Sequence, residues 1–193
     1  MKKINLLLTF MLTSTLLFAQ YNNEVSKTLP YGQAHPEAPE QIKDFSALIG
    51  ASKCISTSRK QDDSWNASVD MIWRWKYIMD GKAVQDETLK ADGGHSGSIR
   101  QFNPETNTWL VHYYSSNGIP NTLPTWEGSK KDNGKIVLYR DQKAPNGTEG
   151  FYRLTFYDIT KDSYKWIGEW VDKTEQIIYP TWKIECTKRK NKS

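Results

Sequence analysis

Two arginines sit inside alternating apolar stretches, Arg100 in GSIRQFN and Arg153 in FYRLTFYDI. Arg100 shares its parity with Phe102, and Arg153 with Phe151 and Tyr157. A guanidinium turned inward over aromatic rings can receive a ligand carboxylate through paired hydrogen bonds, supported by cation–π attraction. Turned outward, the same side chain lays its stem over exposed rings. Carboxylates offer a second chemistry. Glu127 follows Trp126, and Glu169 lies between Trp166 and Trp170. A carboxyl group in an aromatic pocket has a raised pKa and can act as an acid or base. Both glutamates, however, have the opposite parity to their neighbouring tryptophans, which predicts the outer face.

Other reactive patterns are weaker. GGHSGS (93–98) falls one glycine short of the G-x-S-x-G elbow, and it joins two predicted strands instead of a strand and a helix. The three histidines, His35, His95 and His112, are far apart, and His112 falls on the opposite face of its strand from Trp109 and Tyr113. No paired-histidine or acidic cluster predicts a metal site. The expectation is no catalytic motif, no metal and no cofactor.

These residues must be positioned by strands. VDMIWRWKYIMDG (69–81) puts Val69, Met71, Trp73, Trp75, Tyr77 and Met79 on one face, and Asp80-Gly81 signals a hairpin turn. Similar rows recur at Trp109, Val111 and Tyr113, at Tyr152, Leu154 and Phe156, and at Tyr164, Trp166 and Trp170. From Ser52 to Lys188, about ten short strands alternate with tight turns and no long crossover interrupts them, which predicts an antiparallel meander. Closing that meander removes its two unpaired edges. The fold class predicted is therefore all-β, a closed up-and-down barrel with the aromatic rows inside. Ile42, Phe45, Leu48 and Ile49 have helical spacing between Pro39 and Gly50, so a short helix over 40–49 is expected to cap one mouth.

The first residues, MKKINLLLTFMLTSTLLFAQ, have the basic, apolar and small-residue zones of a secretory signal ending at Ala19. The expected organisation is a signal peptide over 1–19, an extended leader over 20–39, a barrel domain over 40–187 and a basic tail over 188–193. The predicted location is outside the cytoplasm, in a periplasm or the extracellular space. The chain has 26 basic and 22 acidic residues; without the two lysines of the signal the balance falls to +2. So small a charge gives no footprint for nucleic acid, and no second apolar run predicts membrane insertion. Cys54 and Cys186 are the two cysteines. In an oxidising compartment they form either a disulfide or two separate buried thiols. A closed barrel makes the first and last strands neighbours, which brings the pair within bridging reach.

The helix ending in Gly50, followed by WRWKYIMDGKAVQDE, GSIRQFNPETNTW and TWEG, resembles a domain-of-unknown-function family of secreted bacterial proteins with a calycin-like (lipocalin-like) barrel. The resemblance spans about residues 40–187 and implies a barrel with a potential central cavity. Arg100 lies within it and is therefore preferred to Arg153. Two features depart from related barrels. Ser52 stands where lipocalins usually carry a tryptophan after the opening glycine, and the last eighty or so residues lack the histidine with which nitrobindin-type relatives hold haem. The reading is a small-ligand-binding protein for a mostly apolar or amphipathic molecule, with Trp73, Trp75, Tyr77, Tyr113 and Trp166 as wall and Arg100 as anchor. The alternatives are a cavity enzyme acting on a glycan or lipid-derived substrate, and a protein-interaction module with a filled barrel.

Overall fold

A computed structural model describes residues 21–189; the predicted signal over 1–19 and the last four residues of the tail lie outside the described residues. Ten antiparallel strands close into a barrel in the order β1-β10-β9-β8-β7-β6-β5-β4-β3-β2. They are β1 (Gly50–Ser58), β2 (Val69–Ile78), β3 (Ala83–Lys90), β4 (His95–Asn103), β5 (Thr108–Ser115), β6 (Thr125–Lys130), β7 (Ile136–Asp141), β8 (Gly150–Tyr157), β9 (Ser163–Asp172) and β10 (Ile178–Lys188). Each pairs with its chain neighbour, and β1 and β10 pair across the seam from Ser52 with Lys188 to Ser58 with Trp182. No edge is left unpaired. No helix among the described residues is long and apolar enough to cross a membrane.

Alternation sorts the side chains. Met71, Trp73, Trp75 and Tyr77 are buried on β2, as are Trp109 and Val111 on β5 and Tyr164 and Trp166 on β9. The row on β2 stops at Tyr77. Met79, expected on the same face, is 56% exposed. The reason is local: Met79, Asp80 and Gly81 all have positive φ, so the chain leaves the sheet one residue before the hairpin signal. On β10 the register shifts between Pro180 and Trp182. Proline cannot donate to the ladder, and a bulge accommodates it.

Consecutive strands run in opposite directions, so the turns divide between two ends. One end carries the β2–β3, β4–β5, β6–β7 and β8–β9 turns and is capped by residues 40–48. The expected helix here is two short 3-10 turns, Glu40–Lys43 and Ser46–Leu48. Ile42, Phe45 and Leu48 are fully buried in the barrel mouth, where the tighter turns aim all three at the core. Phe45 packs against Trp75, Trp109 and Phe156, and the Trp109 indole donates to Asp44 at 3.0 Å.

The leader has no strand or helix, but it is tied to the same end. Asn23 donates to Asp80, Gln33 donates to Asn23, and Tyr77 donates its amide to the Tyr31 carbonyl. Gly81 is where this segment comes closest. A Cβ there would meet the Gln33 carbonyl and the His35 amide, and φ is +78°. Gly81→Ala is therefore expected to cost about 1–3 kcal/mol, because both the clash and the left-handed backbone oppose a side chain. Urea unfolding checks the loss, and limited proteolysis should show faster cleavage within 21–39. Unchanged cleavage would mean that the leader does not depend on this contact.

Candidate functional site

Toward the cap the barrel interior holds a buried ion pair. The Arg100 guanidinium pairs with Asp86 on the adjacent strand, and both are 3% exposed. Asp86 also accepts the Trp73 indole N–H at 2.6 Å. Three rings surround the guanidinium, with centroids at 4.3 Å for Trp75, 5.1 Å for Phe45 and 5.8 Å for Phe156. Its Nε has no partner among the described residues. The Trp75 indole donates to the Tyr164 hydroxyl at 3.1 Å, and burial pushes that phenol's pKa far above its ordinary value. Arg100 is thus inward and committed to a carboxylate of its own chain.

The far end, opposite the 3-10 cap, is built differently. Tyr113, Trp126, Tyr152, Trp166 and Trp182 form two groups of rings, with centroids 6.2 Å apart from Tyr113 to Trp126, 6.3 Å from Trp126 to Tyr152 and 5.3 Å from Trp166 to Trp182. Tyr113, Tyr152 and Trp182 are only partly buried. At the same end β3 and β4 turn small hydroxylated side chains inward, Thr88, Ser96 and Ser98, with Ser98 paired to Tyr113 on the adjacent strand and Thr88 and Ser96 hydrogen-bonded at 2.7 Å. Glycines make room for the rings: a Cβ at Gly168 would strike the Tyr152 ring, and one at Gly150 the Trp170 ring. Arg140 completes this end, its guanidinium 4.4 Å from the Trp126 centroid.

The predicted residues therefore divide by height along the barrel. Tyr77 and Trp75 lie toward the cap, Arg100 beside them. Trp73 occupies the middle and touches Trp75, Phe156, Tyr164 and Trp166. Tyr113 and Trp166 lie at the far end. Cys54 and Cys186 are directly opposed on β1 and β10 and form a disulfide. Asp86 and Arg140 have no role in the sequence reading, and Trp126 and Tyr152 appear in it only as aromatic neighbours and not as site residues. A signal existed for two of them: Asp86 follows Val84 at the inward parity set by Tyr77, and Arg140 follows Ile136 and Leu138.

The other chemistries are accounted for on the outside. Glu127 is exposed. Glu169 faces out and is bound by Arg153, which also holds Glu175. His112 bonds Thr125 at 3.0 Å. His95, Ser96 and Ser98 of GGHSGS begin strand β4 with no helix behind them, so the elbow geometry is missing. The described residues contain no cluster of three or more potential metal ligands. An open depression of about 1060 Å³ lies over β9, β10, β1, β2 and β3. Outward-parity residues such as Ile55, Ile72, Leu89, Lys53 and Glu185 line it, so it belongs to the outer wall and not to the aromatic interior.

A solved structure shares this fold. The Mycobacterium protein Rv2717c from M. tuberculosis aligns over 80% of this chain and 100% of its own, with 12% identity and a TM-score of 0.53. The S-type phycobiliprotein lyase CPES from Guillardia theta aligns over 77% and 92%, with 9% identity and a TM-score of 0.48. At such identities the likeness is one of fold alone. No family model matches the sequence, and no curated protein matches it.

Proposed function

We propose that this protein is an exported binding protein of the secreted calycin-like kind, which takes a small, mostly apolar or amphipathic molecule at the far end of its barrel. The observation that carries this reading is the half-buried rings of Tyr113, Tyr152 and Trp182 beside buried Trp126 and Trp166, at the end where β3 and β4 turn small hydroxylated residues inward. Ligand sites are mostly apolar surfaces with a few placed polar groups, and this end has that composition. Trp73, Trp75 and Tyr77 form the packed floor beneath the site, with Arg100 held among them by Asp86. A disulfide joining the first and last strands is compatible with an oxidising compartment.

The test is a titration of intrinsic tryptophan fluorescence with dodecanol, dodecanoate and retinol. At least one should quench saturably with about one site per chain. Tyr113→Ala should weaken that binding about tenfold, the value of one well-placed ring contact. Quenching that stays linear with every probe would remove the reading.

A further inference from the structure

We propose that the ligand is an anion bearing a single carboxylate, and that Arg140 is the residue that receives it. This rests on the binding reading above and names the chemistry of that same site. Four described arginines are withdrawn at least partly from solvent: Arg59, Arg100, Arg140 and Arg153. Three of them hold carboxylates. Arg59 lies 3.6 Å from Asp63, Arg100 pairs with Asp86, and Arg153 binds Glu169 at 2.8 Å as well as Glu175.

Arg140 has no carboxylate within ion-pair distance among the described residues. Its one side-chain partner is neutral, the Gln142 amide oxygen at 2.8 Å. Burial lowers its pKa from the ordinary value, yet a guanidinium stays charged in any protein setting. The charge is thus drawn out of water and balanced only by the Trp126 face and an amide dipole. Such a group gains from an incoming anion what the other three already have.

Geometry places the charge in the site. Inward parity on β7 runs Ile136, Leu138, Arg140, and Arg140 is paired across the ladder with Tyr152. The guanidinium lies 4.4 Å from the Trp126 centroid, and its N–H donors other than the one to Gln142 have no partner among the described residues. The lysines at this end hold carboxylates: Lys90 is 3.0 Å from Asp92, Lys143 is 2.6 Å from Glu149, and Lys173 pairs with Asp141. One uncompensated positive charge beside apolar rings matches a monoanionic amphiphile, with the carboxylate in the guanidinium fork and the apolar part against Trp126, Tyr113 and Trp166.

Dodecanoate and dodecanol, titrated below their micellar concentrations, separate the two layers of this argument. The wild-type protein should bind the acid about 10–100-fold more tightly than the alcohol, the value of a charge-assisted bidentate contact. Arg140→Gln should weaken the acid about 10–100-fold and the alcohol far less, so that the preference for the acid disappears, and saturable alcohol binding also shows that the variant is folded. Equal wild-type affinities for acid and alcohol would overturn the anchor while leaving the binding site in place, and this comparison needs no variant. If neither dodecyl probe saturates, the anchor falls, and the binding reading falls with it where retinol fails as well.

Discussion

Replacing Asp86 with alanine is expected to destabilise the protein by about 3–5 kcal/mol, the cost of leaving a buried charge without its partner. The Arg100 guanidinium would keep its place at 3% exposure, because its stem is enclosed by Trp75, Phe45 and Phe156. Those rings offset part of the charge, about 2 kcal/mol for a desolvated cation–π contact. They cannot accept a hydrogen bond as a carboxylate does. Trp73 loses its acceptor in the same variant, and an unsatisfied buried donor costs about 1–3 kcal/mol on its own. Urea unfolding measures the total. The double variant Asp86→Leu/Arg100→Met should recover most of the loss, since apolar replacement of a whole buried pair is often neutral or stabilising. A single variant as mild as an ordinary surface change, under about 0.5 kcal/mol, would show that the pair does not carry this part of the core.

Opening the disulfide is the second large effect expected. The bond closes a separation of 132 residues and joins β1 to β10. In the chain-entropy treatment a loop of that length restricts the unfolded chain by about 4–5 kcal/mol, with part returned if native strain is relieved. Without the bond the barrel has to hold its seam through one antiparallel ladder between the two ends of the chain. The double variant Cys54→Ala/Cys186→Ala should lower the unfolding free energy obtained from urea titration by that amount, with a lower midpoint. The wild-type protein with reductant should match it, apart from the small cavity left by two sulfur atoms. A reductant-insensitive midpoint would mean that hydrogen bonds alone keep the seam closed.

The two predictions concern the part of the barrel that is packed, and the far end is where that packing gives way. Toward the cap, Phe45, Trp75, Trp109 and Phe156 meet edge to face or stacked, and all are fully buried. Beyond Trp166 the rings become partly exposed, and β3 and β4 turn serine and threonine inward. The cap end is thus closely packed, and the proposed binding site lies at the end where the rings are partly exposed.

Much of this was legible in the residues. Period-two alternation is a local property of extended backbone, so Trp73, Trp109, Tyr164 and Trp166 could be assigned inward from spacing alone. Tight turns between successive strands made the meander, and the need to eliminate edges made the closure and the Cys54–Cys186 contact. Parity breaks wherever the backbone leaves the regular strand. Three positive φ values displaced Met79, and the Pro180 bulge reset the register before Trp182. Helical spacing at residues 42–49 marked an apolar face correctly, but a segment too short to pay for a stable α-helix settled into 3-10 turns.

Height along the barrel belonged to the tertiary structure alone. Alternation tells in from out and is blind to which inward residues share a level, because that depends on strand stagger summed around ten strands. Hence Arg100 was visible as an inward cation, while its capture by Asp86 depended on the β3–β4 register and the rings enclosing both. Arg140 reads in sequence as one more charged residue near a strand end. Only the closed barrel puts it over Trp126 with no acid beside it, since charge balance is settled between neighbours in space and those neighbours come from distant parts of the chain.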